Sequence, residues 1–301
     1  MTDYGHELQF GVMLEPTPDW GHDVLNRAAL TEQAGLDLVS LSDHPYWTGW
    51  LDTMSLLTAI AARTSQVRVF PNLANLPLRP PLQLARAAAT LDILSEGRFE
   101  LGLGTGAQQM REQIIANAGP ARTAGESIEA LEEAIAIIRA SWAADADIRF
   151  EGEHYQVPGA ASGPKPAHDI GIWVGAYQRR LLAVTGRIAD GWVPSSPFMP
   201  PGQLAAASQI IDEAADEAGR SPRDVVRVYN IECGPGESGT GFLPGAPSTW
   251  AEPLADLALS NGISCFVLYR VDSTDLIRQF GAEVAPAVRE AVAKERAGAA
   301  R

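Results

Sequence analysis

The chain has 301 residues, 46% of them hydrophobic, with 23 basic and 37 acidic side chains. A formal charge of −14 disfavours nucleic acid and anionic membranes as partners, because both are bound mainly through cationic surfaces. No apolar run approaches the roughly 20 residues of a membrane span, and the polar residues after Met1 do not resemble a signal peptide, so we expect a cytoplasmic protein.

Strand-like and helix-like segments alternate along the chain, which is typical of βα units around a parallel sheet. Eight apolar segments are predicted as strands, at residues 8–14, 36–41, 67–70, 99–103, 170–174, 191–194, 225–233 and 265–269. Helices are predicted at 23–34, 53–63, 81–94, 123–142, 179–187, 202–218, 250–259 and 275–297. An α/β barrel needs about 250 residues, so one domain fits this chain better than two.

Asp43 and His44 follow the apolar segment LDLVSL. They are therefore expected at the carboxyl end of a barrel strand, where barrel enzymes place catalytic groups. An imidazole with a pKa of about 6.5 can hold or release a proton near neutrality. A bare Asp-His pair is also compatible with a turn in which the aspartate accepts from backbone N–H groups, so the pair alone leaves both interpretations open.

Two glycine-containing strand ends are candidates for ligand binding. The run RPPLQLARAAATLDILSEGRFELGLGTG, residues 79–106, predicts a helix, a turn and a buried strand that ends in glycines, where backbone can approach a ligand closely. A dinucleotide fingerprint is disfavoured, because a long loop follows and no strand-terminal acid lies about 20 residues on. Farther along, Gly175 and Ala176 open a helix whose N–H groups and dipole can hold a phosphate.

Together with SLSDHPYW at residues 40–47, these motifs resemble the luciferase-like monooxygenase family, the bacterial luciferase superfamily. Its members are flavin or deazaflavin F420 oxidoreductases on a TIM (β/α)8 barrel. The resemblance implies one such domain over residues 1–301 with loop insertions at its C-terminal face, and a homodimer. It also implies hydride transfer between coenzyme F420 and a small-molecule substrate.

The same resemblance implies site residues. Asp43 would touch the deazaflavin, His44 would lie beside the reacting carbon as base or hydrogen-bonding group, and a cis peptide bond at Asn72-Leu73 would form a bulge behind the ring. An ordinary asparagine turn is the alternative for that bond. The expected cofactor-binding residues are Asp43, Asn72, Leu73, Gly104, Thr105, Gly106, Gly175, Ala176, Tyr177, Gln178 and Arg179.

Large apolar side chains in connections after strands predict a pocket for an apolar or aromatic substrate. The expected pocket residues are Trp20, Trp47, Trp50, Met110, Phe198 and Trp250. A resembled sugar-phosphate dehydrogenase subgroup has a catalytic glutamate directly after Gly-Thr-Gly, where this chain has Ala107, so acid-assisted alcohol oxidation is in doubt. Glu15, at the end of the first strand, is the candidate replacement acid.

Other interpretations stay open. The first alternative is an FMN-dependent monooxygenase that uses O2, but Ser42-Asp43-His44 stands where FMN members more often have Glu-His-His. A non-catalytic F420-binding or carrier protein is the second. A metal-dependent hydrolase is disfavoured because the first strand, LQFGVMLE, lacks a His-x-His pair, so no metal is expected. Cys233 and Cys265 have no ligand spacing and are expected to be buried reduced thiols.

Overall fold

The computed structural model describes residues 3–17, 21–143, 146–233, 242–243, 245–271 and 273–299. Its strands are β1 (Gln9–Leu14), β2 (Leu38–Leu41), β3 (Arg68–Pro71), β4 (Ala74–Asn75), β5 (Leu101–Gly104), β6 (Ile148–Glu151), β7 (Gln156–Ala160), β8 (Ile172–Val174), β9 (Gly191–Trp192), β10 (Val226–Glu232) and β11 (Cys265–Tyr269). The helices are α1 (Gly21–Gln33), α2 (Thr53–Arg63), α3 (Pro81–Leu94), α4 (Arg111–Ala116), α5 (Ala124–Ala143), α6 (Arg179–Ile188), α7 (Pro201–Glu217), α8 (Ala251–Asn261), α9 (Thr274–Gln279) and α10 (Ala285–Ala299).

The parallel strands form a barrel wall in the spatial order β3-β2-β1-β11-β10-β9-β8-β5-β4. The two ends of this series meet, because β4 continues the course of β3 and pairs with β5, and Val69 of β3 forms a parallel bridge with Phe99 just before β5. Each of the eight predicted strand segments overlaps a barrel strand, so the predicted TIM barrel is confirmed. The short β4 is the one addition to the wall.

Both faces of the barrel strands are buried, as is typical of parallel sheets covered by helices. One set of side chains, including Phe70 and Trp173, fills the barrel interior, where their rings meet edge to face at 5.0 Å. The alternate set packs outward against the helices. At Gly102 a Cβ would lie 2.1 Å from the carbonyl oxygen of Pro71, so glycine is required for the close approach of β3 and β5.

The hairpin of β6 and β7 is antiparallel and lies outside the barrel, in a segment predicted to be a loop. Its turn is fixed by the Glu133 carboxylate of α5, which accepts backbone N–H groups from Glu153, His154 and Tyr155. Such a contact with a distant helix leaves no local sequence signal. Both cysteines are buried and form no disulfide, as expected, and burial raises the pKa of the Cys265 thiol.

His168 is partly buried, and its imidazole lies among acidic side chains. Its Nδ1 lies 2.7 Å from the fully buried Asp92, and its Nε2 lies 3.5 Å from Glu100. The Glu100 carboxylate also pairs with Arg68 at the start of β3. These charges lie at the amino end of the barrel, away from the predicted site. Among the described residues, no helix is both long and apolar enough to cross a membrane.

Candidate functional site

Asp43 is buried directly after β2, and both of its carboxylate oxygens are occupied by protein donors. Arg79 donates from Nε to Oδ2 at 2.6 Å and from Nη2 to Oδ1 at 2.7 Å, and the backbone N–H of Asn75 donates to Oδ2 at 2.8 Å. Arg79 also reaches Asp52, the N-cap of α2, at 2.7 Å. Burial lowers the pKa of Arg79, but hydrogen bonds and charges from Asp43 and Asp52 outweigh it and raise the pKa above its usual range. Arg79 therefore ties the end of β2 to the segment after β4.

His44 is half-buried in a group of aromatic rings next to Asp43. Both residues lie at the rim of the barrel, the edge formed by the carboxyl ends of its strands. Its Nδ1 lies 2.9 Å from the phenol oxygen of Tyr46, its ring stacks on Trp47 at 4.0 Å, and Trp50 meets it nearly edge-on at 5.4 Å. Burial lowers the pKa of His44, and the neighbouring Asp43 charge offsets only part of that effect. The imidazole is therefore neutral at neutral pH.

The Asn72-Leu73 peptide bond is cis, as predicted. It places Leu73 between two strand ends: a Cβ at Gly175 would lie 2.2 Å from Leu73 Cδ1, and a Cβ at Gly104 would lie 3.4 Å from Leu73 Cβ. The residues predicted from three separate motifs thus lie together on one rim. The two glycines leave space around the Leu73 side chain that any larger residue would fill.

A polar group that the sequence analysis missed lies inside the barrel below this bulge. Asn72 and Asn230 exchange side-chain hydrogen bonds, with Nδ2–Oδ1 distances of 2.8 and 3.1 Å. Asn72 also donates to Ser40 at 3.3 Å, and Asn230 to Ser195 at 3.1 Å. The sequence does carry a sign of this group: Asn230 lies inside the largely apolar strand VRVYNIE, and a buried amide needs a hydrogen-bond partner.

The amino end of α6 fits the predicted anion site. The cap residue Gln178 makes no side-chain capping bond, so the first N–H groups of the helix keep their donor capacity. Ala176 is buried and accepts from the indole of Trp192 at 2.9 Å, which fixes the backbone before the helix. Arg179 is exposed, whereas Arg180 pairs with Glu129 at 2.7 Å.

Several predicted pocket residues are accessible beside His44. Trp47 is 39% exposed, and Phe198, 66% exposed, packs edge-on against Tyr177 at 5.8 Å. Trp50 and Met110 are partly buried. Trp47 and Phe198 therefore expose apolar surface in connections that follow barrel strands.

The other predicted site residues are placed differently. Trp250, expected in the pocket, is instead 3% exposed and belongs to the main hydrophobic core, at the start of α8. Trp20 lies outside the described residues. Glu15 is exposed after β1, and Thr105 and Gly106 line a shallow crevice beside α4. Gly106 has φ +82°, a conformation that favours glycine.

Among the described residues, one group of possible metal ligands occurs, between α5, the first turn of α6 and the hairpin. Ligand atoms of Glu129, Glu153 and His154 lie within 4.8 Å of one another. Arg180 already neutralises Glu129, and His154 lies 3.4 Å from the same carboxylate. These contacts tie α5, α6 and the hairpin together and account for the cluster without an ion.

Comparison with known proteins gives consistent matches. Residues 7–238 match the family described as luciferase-like monooxygenase. A protein of Microbacterium testaceum (strain StLB037), named F420-dependent glucose-6-phosphate dehydrogenase, is 30% identical over 233 residues, which are 75% of this chain and 68% of that relative.

Two solved structures share the fold. An F420-dependent secondary alcohol dehydrogenase in complex with an F420-acetone adduct superposes with a TM-score of 0.83 at 17% identity, over 94% of this chain and 99% of the other. A coenzyme F420-dependent tetrahydromethanopterin reductase from Methanopyrus kandleri has a TM-score of 0.79 at 20% identity, over 93% of this chain and 99% of the other.

Proposed function

Since the chain belongs to the luciferase-like monooxygenase family, we propose that it is an F420-dependent oxidoreductase that transfers a hydride between deazaflavin F420 and an apolar or aromatic small molecule. One observation carries this proposal: the Leu73 bulge, with Gly104 and Gly175 beside it, lies on the same rim as Asp43 and His44. The F420-dependent relative supports the choice of cofactor.

The residues at this rim fit a flat ring with an anionic side chain. Side chains at Gly104 or Gly175 would collide with or crowd Leu73, so these glycines keep the surface around the bulge open. The N–H groups at the start of α6 suit a phosphate. Asn75, which is 5% exposed, has a buried Oδ1 without a hydrogen-bond partner among the described residues, and an N–H of a bound ring would satisfy it.

F420, when bound, supplies a ring carbon that accepts or gives a hydride. The chain's own residues have separate roles in the proposal. Leu73 supports the ring, and the amino end of α6, with Tyr177, Gln178 and Arg179, holds the charged side. His44 faces the substrate.

Asp43 is proposed to act mainly through the backbone that it fixes, because three donors already occupy its carboxylate. This differs from direct contact with the cofactor, the role that the family resemblance implied. An ionised carboxylate has about four lone-pair positions, and these three donors leave one of them for a cofactor atom.

The substrate proposal departs from the sugar phosphate named for the relative. Ala107 stands where the resemblance implied a catalytic glutamate, and it has no ionisable group. Two arginines near the rim are already paired: Arg79 with Asp43 and Asp52, and Arg270 with Glu232. An exposed Trp47 instead suits an apolar or aromatic ligand. Glu15 stays a prediction for the replacement acid.

Anaerobic titration of the protein with F420 and with FMN, followed by absorbance and fluorescence, tests the proposal. We expect F420 to bind and Gly175→Asp to abolish binding, because a carboxylate would enter the space beside Leu73 and oppose the cofactor's phosphate. Arg278→Met, on the distant α9, is the control. Preferential FMN binding would replace the proposal by the flavin monooxygenase alternative. F420 binding without turnover on aromatic alcohols, aldehydes and ketones would support a carrier.

Two further expectations remain proposals. We propose that the protein is a homodimer and that it works in the cytoplasm with a small molecule as its partner. The acidic charge of −14 supports the absence of a nucleic-acid partner.

A further inference from the structure

Tyr46 contacts His44 at one of its two imidazole nitrogens, Nδ1. The phenol oxygen lies 2.9 Å from His44 Nδ1, and the two ring centroids are 5.6 Å apart. Among the described residues, none is within hydrogen-bond distance of His44 Nε2. The two nitrogens of this imidazole therefore differ: one is held by the protein, and the other is available to a ligand.

The direction of the Tyr46–His44 hydrogen bond follows from the donors and acceptors around the phenol. Burial raises the pKa of Tyr46, and the charge of Asp43 raises it further, so the phenol keeps its proton. A hydrogen bond from the Asn75 side chain lowers the pKa of Tyr46 in part, and Asn75 Oδ1 has no hydrogen-bond partner in the part of the chain that the structure describes. A phenol has one hydrogen to donate, and Nδ1 of His44 is its acceptor.

A neutral imidazole carries one hydrogen, on one nitrogen only. If Nδ1 accepts from Tyr46, the hydrogen of His44 is on Nε2. The charges around His44 are compatible with the neutral imidazole. The adjacent anion is Asp43, and Arg79, which also pairs with Asp52, neutralises the Asp43 carboxylate.

We propose that Tyr46 is a positioning residue that holds neutral His44 with its proton on Nε2, so that His44 donates a hydrogen bond to an acceptor oxygen on the substrate. This inference rests on the proposed function. It deepens that function by assigning a substrate with an oxygen on the reacting carbon, a carbonyl in reduction or its alcohol in the reverse reaction, and by giving His44 the role of hydrogen-bond donor to that oxygen rather than that of a base.

With F420 bound, reduction of a carbonyl would move a hydride from the reduced cofactor to the carbonyl carbon, the C=O electron pair would pass to oxygen, and the cofactor would be left oxidised. The oxygen then takes up one proton from water at the open rim. His44 stabilises the oxygen through Nε2–H and stays neutral, and Tyr46 keeps its own proton. The arrangement resembles a neutral histidine that polarises a carbonyl by donation alone.

The ¹⁵N NMR spectrum of the ligand-free protein with ¹⁵N-labelled histidine tests this proposal without turnover. The chain has five histidines, and comparison with His44→Gln assigns the His44 signals. At pH 7.5 we expect Nε2 to show the chemical shift of a protonated nitrogen and Nδ1 that of an acceptor. In Tyr46→Phe the Nδ1 shift should move toward that of an unbonded nitrogen, and the pKa of His44 should rise because the neutral form loses a donor.

Tyr4→Phe is the matched control, because Tyr4 donates to Asp212 far from the rim, and its loss should leave the His44 signals unchanged. A wild-type spectrum with the hydrogen on Nδ1 would overturn the proposal, as would unchanged His44 signals in Tyr46→Phe. Neither result depends on whether F420 binds. A failure of the proposed function would appear in the cofactor titration instead, while the histidine spectrum stayed as expected.

Discussion

Replacing Arg79 by methionine should lower the free energy of unfolding by about 3 kcal/mol, because it leaves the Asp43 carboxylate buried without its cation. The Asp43 side chain is 2% exposed and that of Arg79 is 17% exposed, so water can replace little of the lost interaction. Of the three donors to Asp43, only the Asn75 N–H would remain. Asp52, the second partner of Arg79, is 48% exposed, so the loss of this ion pair contributes less than about 1 kcal/mol to the change in the free energy of unfolding.

Urea unfolding, followed by tryptophan fluorescence and far-ultraviolet circular dichroism, measures this change. Arg180→Met is the matched control: it removes a 2.7 Å ion pair with Glu129 in which both side chains are more than 40% exposed, and it should cost less than about 1 kcal/mol. In the double variant Asp43→Asn/Arg79→Met much of the loss should be recovered, because the uncompensated charge is gone. Equal losses for Arg79→Met and Arg180→Met would refute the assignment of Asp43 and Arg79 as a buried pair.

Four other outcomes are expected. His44→Ala should bind F420 with nearly unchanged affinity and lose about 10² to 10⁴ in turnover, measured with saturating F420; full turnover would remove His44 from the chemistry. Tyr46→Phe should lower kcat about five- to tenfold with little change in KM, whereas a change confined to KM would contradict a role through His44. Because burial lowers the pKa of His44, its Nδ1 should keep the ¹⁵N shift of an unprotonated nitrogen as pH falls to about 6.5 and change only below it; a change that begins above pH 7 would count against this. Light scattering at micromolar concentration should give twice the 32.1 kDa chain mass, and a monomer would contradict the proposed homodimer.

The barrel could be predicted from the sequence because each strand is a continuous apolar run between turn signals. Asp43 and His44 were placed correctly by the same logic, since they directly follow such a run. The cis Asn72-Leu73 bond came from the family resemblance alone, and no local pattern marks it.

Contacts between distant segments could not be predicted. The pairing of Arg79 with Asp43 has no local signal, because Asp43 lies 36 residues earlier in the chain. Asn72 and Asn230 are 158 residues apart, and only the closed barrel brings them together. Trp250 was misplaced because a large apolar residue in a connection is equally suited to a binding surface and to the core.

The Asn72–Asn230 pair limits how the site can change. Each amide serves both as donor and as acceptor to the other, so neither can turn toward a ligand without leaving its partner's groups unsatisfied in a dry interior. A larger substrate therefore cannot gain room by reaching farther down the barrel axis. Variation in substrate among proteins with this pair would have to come from the loops above the strands, where insertions do not disturb the folded wall.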